Sequence, residues 1–319
     1  MSRADPHSAV DRHIWLDGEL IPWDQATVHV LSHSLQRGSL IFDYMSVHET
    51  ERGPAVFRMP EHLERFHRSA EMVGLDLLQY VAVLGAAVAE TVRANPGAKA
   101  VKISAYLASV EVDVVALDPR VSVAIAAYDP YRDVIAYKTE QPELHLEFRI
   151  WIEKERRNRR HDIVEPQAKV AANYVSPMVA KARARRQGYD DILLLDDQGH
   201  VAEGPTTNVF RVDEAGALIT PPEIRVLLGV TRRSVIELAK HDGRPVREET
   251  FGPEALFNSA EVFLTGTTAN VLPVVDIDGH TIGGGSVGPV CAGLRDRFHQ
   301  VTHGLDPAFA HWLSYAREL

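Results

Sequence analysis

Two short stretches constrain this chain more than any others. One is Gln167-Ala168-Lys169-Val170-Ala171-Ala172-Asn173-Tyr174, and about thirty residues later comes Val201-Ala202-Glu203-Gly204-Pro205-Thr206-Thr207-Asn208-Val209-Phe210. A lysine stands just ahead of a helical pattern, a tyrosine follows five residues on, and a lone glutamate sits at a strand-to-loop junction, all among small residues. That spacing suits a cofactor site. Taken singly the same residues have plainer uses: a surface lysine before a helix, an interfacial core tyrosine, a solvated glutamate at a hairpin end.

Composition narrows the class. A chain of 319 residues is long for one domain and suits two moderate ones, each burying its own core. With 45% hydrophobic and 24% charged residues it reads as ordinary globular protein. The net charge of −10 argues against a nucleic-acid surface. The basic run Arg156-Arg157-Asn158-Arg159-Arg160 does not reverse this, since such runs are usually solvated loops. A single cysteine, Cys291, excludes an internal disulfide and a thiolate metal cluster, so no metal is expected and the compartment reads as reducing. Met1 to Arg12 lacks the apolar core of a signal peptide, and no uncharged run is long enough to span a bilayer. A cytoplasmic protein without a membrane partner is expected.

The hydrophobic pattern divides the chain. Ile14 to Ile21 reads as two strands around Asp17-Gly18, and Ala55 to Arg58 as another that stops at Pro60. Leu63, Phe66, Ala70 and Val73 recur at helical spacing between Pro60 and Gly74, with Arg65 off that stripe. A second helix is expected over 77–94, then strands over 100–109 and 121–128. These make a small α+β domain, 1–128, ending in a linker at 129–136 where proline and charges interrupt the pattern. The larger domain, 137–319, opens on alternating Leu144, Leu146, Phe148 and Ile150. A helix over 171–186 follows, then strands over 192–195, 200–202, 209–212 and 218–220. Gly229-Val230-Thr231 opens a helix whose first amides make a ready anion site, unless Thr231 is only a cap. Val262-Phe263-Leu264-Thr265 runs into the small-residue turn Gly266-Thr267-Thr268-Ala269-Asn270, and a last helix covers about 287–302.

Lys-x-x-x-Asn-Tyr, then Gly188-Tyr189-Asp190-Asp191 with a Leu-rich strand, then Glu-Gly-x-x-x-Asn-x-Phe, resemble the core of the fold-type IV pyridoxal-phosphate enzymes. That class holds branched-chain aminotransferases, D-amino-acid and (R)-amine transaminases, and aminodeoxychorismate lyase. The resemblance runs from about Ile14 to about Phe298. It implies a D-amino-acid-aminotransferase-like fold, a two-domain α+β and α/β chain whose larger domain has a β-barrel-like core, and pyridoxal 5'-phosphate as cofactor. Lys169 would hold the cofactor as a Schiff base and then shuttle the substrate proton. Glu203 would face the pyridine nitrogen, and Tyr174 the phenolic oxygen. Arg65, within Glu-His-Leu-x-Arg-Phe, would grip the phosphate through its planar fork, joined by Val230 (through its amide), Thr231 and Thr267. A homodimer is implied as well.

The resemblance to branched-chain aminotransferases is the fullest, through His-x-Leu-x-x-Gly-x-x-x-Phe, Leu-x-Gly-Val-Thr-Arg and Gly-Thr-x-Ala. It implies amino transfer from Leu, Ile or Val to 2-oxoglutarate. The pocket departs from the pattern: Arg37 stands where many of those enzymes carry a tyrosine, Ser46 where they often carry an arginine, and Lys102 near where they carry another arginine. Phe42, Arg37, Lys102, Thr267 and Thr268 are the expected substrate contacts, with Arg37 equally readable as a surface residue. A D-amino-acid or (R)-amine transaminase, or a lyase of the aminodeoxychorismate type, uses the same Lys169, and these alternatives stay open.

Overall fold

A computed structural model describes residues 10–135, 147–158 and 160–319. In chain order the strands are β1 (His13–Leu16), β2 (Glu19–Pro22), β3 (Ile41–Thr50), β4 (Gly53–Phe57), β5 (Ala100–Leu107), β6 (Val121–Tyr128), β7 (Phe148–Arg157), β8 (Asp191–Leu195), β9 (Asn208–Val212), β10 (Leu218–Thr220), β11 (Val246–Glu248), β12 (Glu261–Gly266), β13 (Asn270–Ile277), β14 (His280–Thr281) and β15 (Leu313–Tyr315). The helices are α1 (His33–Arg37), α2 (Met59–Val73), α3 (Leu84–Ala94), α4 (Val175–Arg185), α5 (Val230–His241), α6 (Glu254–Phe257) and α7 (Pro289–Thr302).

These elements fall into two compact units that do not follow the chain as two continuous segments. The first takes Met1–Glu143, Lys169–Ala172 and Thr302–Leu319; the second takes Leu144–Ala168 and Asn173–Val301.

In the first unit a seven-stranded antiparallel sheet runs in the order β15-β4-β3-β5-β6-β1-β2. β3 alternates strictly: Ile41, Asp43, Met45 and Val47 are buried, while Phe42, Tyr44, Ser46 and His48 share the other face. The buried face receives α2 through Phe66, Ser69, Ala70, His62 and Arg65. Proline at the first helical turn starts α2, and Gly74, with φ of 74°, ends it in the left-handed region that glycine enters without penalty. The expected strand through Arg58 stops one residue short, because Arg58 adopts φ of 47° and begins the turn into α2.

The second unit is built on an eight-stranded mixed sheet, order β11-β10-β9-β12-β13-β7-β8, with β14 attached to β13. Ile150, Ile152, Leu193, Val209, Ile219, Leu264 and Ile277 form its apolar core. β7 runs parallel to both β8 and β13, and β10 parallel to β11. This is the two-domain mixed fold the resemblance implies.

Several expectations need correction in detail. Leu144 and Leu146, taken as the start of a strand, lie outside the described residues; the strand that follows reaches Arg157 and so includes Arg156 of the basic run, both side chains exposed. The helix expected from 77 begins at Leu84, because Asp76 accepts from the Leu78 amide at 2.9 Å and a short 3-10 turn, Leu78–Tyr80, intervenes. The helix expected from 171 opens as a 3-10 turn, Ala171–Tyr174, before α4. Residues 200–202 form no strand of their own and meet β8 through an isolated bridge, Leu195 to Val201, and the bond from the Ala202 amide to Leu194 O at 2.9 Å.

Candidate active site

Lys169 is held by its backbone before its side chain does anything. Lys169 and Val170, with the first residues of the 3-10 turn Ala171–Tyr174, lie against the entry to β3, where Val170 bridges Ile41. The Phe42 amide donates to Lys169 O at 3.0 Å, Ala171 N donates to Leu40 O at 2.8 Å, and Ala172 N to Gly38 O at 3.1 Å. Gly38 turns the chain into this pairing at φ of 72°, the left-handed region that glycine enters without penalty. On the other side the Lys169 amide donates to Ser69 Oγ on α2 at 3.1 Å. So fixed, Lys169 carries its Nζ over the ring of Phe42, 4.9 Å from the centroid, and Lys102 Nζ stands 5.0 Å from the same centroid. The register explains this meeting, since Lys102 on β5 lies directly opposite Tyr44, two residues along from Phe42 on one face.

Arg65 lies on the buried side of the same strand. Its Nε donates to Asp43 Oδ2 at 2.8 Å and its Nη2 to Asp43 Oδ1 at 2.7 Å, a two-pronged pair with a carboxylate that has no exposure. His62 Nδ1 donates to the same Asp43 Oδ1 at 2.7 Å. Burial alone would raise the Asp43 carboxyl, but the Arg65 guanidinium and then His62 overcome it and hold the group well below the usual carboxylate range. Burial pushes His62 the other way, below its ordinary value, against the opposing pull of the Asp43 carboxylate that it hydrogen-bonds. Arg37 is elsewhere on this unit: exposed at the end of α1, it donates to Val112 O at 2.7 Å.

In the second unit Glu203 is 2% exposed and its carboxylate accepts from three neutral donors. They are the Leu227 amide at 3.0 Å, Asn208 Nδ2 at 3.4 Å and Asn158 Nδ2 at 3.4 Å. Its backbone is pinned to β8 through Leu194 N to Glu203 O, 2.8 Å, and the loop after it closes by Gly204 N to Thr207 O, 2.8 Å. Asn208 ties this loop to the start of α5: its Nδ2 also donates to Leu227 O at 3.0 Å, and a Cβ on Gly229, the N-cap of α5, would lie 2.0 Å from Asn208 Oδ1. Val230 and Thr231, both buried, follow as the first turn, whose amides find no acceptor within the helix. The third piece is the turn between β12 and β13, which holds Thr267 and Thr268. A Cβ on Gly266 at its start would meet Thr206 O at 3.1 Å and Thr207 Cγ2 at 3.3 Å. Glycines at 229 and 266 therefore let the Glu203 loop, the α5 start and the 267–269 turn pack within one neighbourhood. Tyr174, half-buried, closes the 3-10 turn before α4. Asn173 beside it donates to Ala168 O at 3.1 Å and Glu165 O at 3.3 Å.

Sequence reading passed over Asp43 and Ser69, and it quoted Asn173 and Asn208 only as parts of a pattern. The available signal was polar residues at positions where β3 and α2 turn inward.

A family match accounts for these pieces. This chain belongs to the class IV amino-transferases, whose family model matches residues 40–277. It is an aminotransferase and its cofactor is pyridoxal phosphate. Among individual relatives, the branched-chain-amino-acid aminotransferase of Escherichia coli (strain K12) is 31% identical over 313 residues, covering 96% of this chain and 98% of its own. That of Pseudomonas aeruginosa is also 31% identical, with 98% of each chain covered. Among solved structures, the branched-chain aminotransferase of the archaeal thermophile Thermoproteus uzoniensis, with norvaline, superposes with a TM-score of 0.86 at 31% identity, covering 95% of this chain and 98% of its own.

The residues present suit that cofactor. A pyridoxal phosphate needs a primary amine, donors for a phosphate and a buried acceptor for a protonated ring nitrogen. Lys169 supplies the first, the α5 start made close by Gly229 supplies amide donors, and Glu203 is a buried carboxylate ringed by neutral donors. Among the described residues no cluster of His, Cys, Asp and Glu is arranged to hold a metal ion.

Proposed function

We propose that this aminotransferase moves the amino group of Leu, Ile or Val to 2-oxoglutarate, with Lys169 as the residue that attaches the cofactor and carries the proton. The observation that carries this reading is the pair of amines over one ring. Phe42 offers an apolar face to a branched side chain, while Lys102 Nζ, 5.0 Å from the same ring, offers a cation to the second carboxylate of an acidic oxo acid. One pocket must accept both partners in turn, and this pair of side chains suits both. Solved relatives support it: one branched-chain amino acid aminotransferase structure holds N-(5'-phosphopyridoxyl)-L-glutamate, and another holds 4-methylvaleric acid, a leucine-like carbon skeleton.

When bound, the cofactor supplies the electron sink that lets a proton leave the substrate α-carbon. In the proposed division of labour, Lys169 Nζ would take that proton and return it to the carbon that carried the cofactor's aldehyde. Glu203 holds a proton on the ring nitrogen, its own carboxylate kept in place by Leu227 N–H, Asn208 and Asn158. Tyr174 donates to the phenolic oxygen. Arg65, the Val230 and Thr231 amides and Thr267 hold the phosphate, Arg65 with its plane fixed by Asp43. Thr267 and Thr268 present the turn that receives the substrate carboxylate, and Arg37 is assigned to the pocket only through a neighbouring subunit. A homodimer is supported by apolar side chains exposed on the first unit, Val30 and Leu35 on α1 and the loop before it, and Val112, Val114, Val115 and Leu117 on the loop after β5, the two stretches joined by the Ser32–Val110 bridge. The proposed compartment is the cytoplasm, supported by the lone, buried cysteine.

The test is a half-reaction scan in which the yellow protein is mixed with single L-amino acids, D-amino acids and (R)-amines while the cofactor absorbance is followed. Bleaching by L-Leu, L-Ile or L-Val is expected. Bleaching by D-amino acids or (R)-amines alone overturns the branched-chain assignment in favour of those transaminases, and pyruvate release without any acceptor would make the protein a lyase.

A further inference from the structure

Ser69 joins two of the residues to which a cofactor role is assigned. It is fully buried on α2, one turn beyond Arg65. Its Oγ donates to the Arg65 carbonyl at 2.9 Å and accepts from the Lys169 amide at 3.1 Å. A hydroxyl has one proton to give, and here that proton goes to the turn that carries Arg65 while an oxygen lone pair receives the backbone of Lys169. The bond to Lys169 is made by the main chain. It sets where the residue stands and leaves the chemistry of the amine to the side chain.

We propose that Ser69 is a positioning residue that fixes the spacing between the group holding the cofactor phosphate and the group attaching its aldehyde. This rests on the assignment of those roles to Arg65 and Lys169. A ligand gripped at two points gains from the second grip only when the two holders are spaced to its length, because the second contact is then intramolecular. The backbone of 169–172 is also tied to the β3 side, through Gly38, Leu40 and Phe42. Ser69 is the α2 anchor, so its loss lets Lys169 and Arg65 move independently while each remains in place on its own element.

The effect separates by ligand. Ser69→Ala and Ser69→Thr, as full-length chains freed of cofactor, are titrated with pyridoxal phosphate, with pyridoxal and with inorganic phosphate. Losing one buried hydrogen bond predicts that Ser69→Ala weakens pyridoxal phosphate about tenfold. Pyridoxal and phosphate, each of which engages only one of the two groups that Ser69 joins, stay within about twofold of wild type on the same argument. Ser69→Thr restores the affinity, since a helical threonine hydroxyl keeps the bond to the carbonyl four residues back. Equal losses for all three ligands would make Ser69 a general packing residue, and unchanged pyridoxal phosphate affinity in Ser69→Ala would remove it from the site; either result overturns the proposal. Arg65→Lys checks the underlying assignment separately: a variant that binds phosphate and pyridoxal phosphate like wild type shows that Arg65 is not the holder, whatever Ser69→Ala does.

Discussion

Replacing Gly229 with alanine tests the packing that assembles the Glu203 side of the site. The backbone at Gly229 has φ of −66° and ψ of 126°, a conformation any residue adopts, so the cost of a side chain is steric alone. The new Cβ would lie 2.0 Å from Asn208 Oδ1, and ordinary contact begins near 3.4 Å, so the amide must retreat by about 1.4 Å. That retreat breaks the bonds from Asn208 Nδ2 to Leu227 O (3.0 Å) and to Glu203 Oε2 (3.4 Å). Overpacking a filled interior costs about 1–3 kcal/mol, and the lost hydrogen bonds about 1 kcal/mol more, so Gly229→Ala should destabilise by about 2–4 kcal/mol. Urea denaturation of wild type, Gly229→Ala, Asn208→Ala and the double variant measures it. Because Asn208→Ala removes the clashing oxygen, the double variant should lose at least about 1 kcal/mol less than the sum of the singles. A Gly229→Ala protein within about 0.5 kcal/mol of wild type, or a strictly additive double variant, refutes the contact between the α5 start and the Glu203 loop.

Two further predictions concern the first unit. The folded-state pKa of Asp43 lies below its unfolded value, so its contribution to stability is present above the ordinary carboxylate pKa of about 3.9 and is lost as pH falls below it. Asp43→Asn should cost about 3–5 kcal/mol near neutrality by leaving Arg65 buried without its carboxylate. Its urea midpoint should also fall less steeply than that of wild type between about pH 5 and pH 3; equal slopes would contradict the ion pair. Lys102→Leu should raise the KM for 2-oxoglutarate about tenfold or more while changing that for a branched-chain donor by less than about threefold, as expected for one charge-assisted contact. Steady-state kinetics with each substrate varied separately decides this, and a parallel rise in both KM values would take Lys102 out of acid recognition.

Elements with strong local signals were legible in the sequence. α2 could be read from Leu63, Phe66 and Ala70 between a proline and a left-handed glycine, and β6 from an alternation that needs no partner to be seen. The hairpin of β1 and β2 followed from Asp17-Gly18, both at positive φ. Long-range pairing left no such trace. β15 is three residues long and is made a strand only by its partner β4, and β10 and β11 lie side by side in parallel through α5, which links them. The site divides in the same way. Lys169, Glu203 and Arg65 were legible as chemistry-bearing residues in recognisable stretches. Asp43 and Ser69 were not, because their meaning depends on partners 22 and 100 residues away. Arg37 shows the converse: its charge drew attention in the sequence, and its side chain is exposed and bonded to a loop carbonyl.

The assignment of Lys169 is tested most directly by borohydride. The yellow protein is reduced, digested and mapped by mass spectrometry, alongside Lys169→Ala treated in the same way. The account predicts one phosphopyridoxyl group, on Lys169, and none in the variant. A reduced adduct on a different lysine in the wild-type chain, or one that persists at the same site in Lys169→Ala, would contradict it.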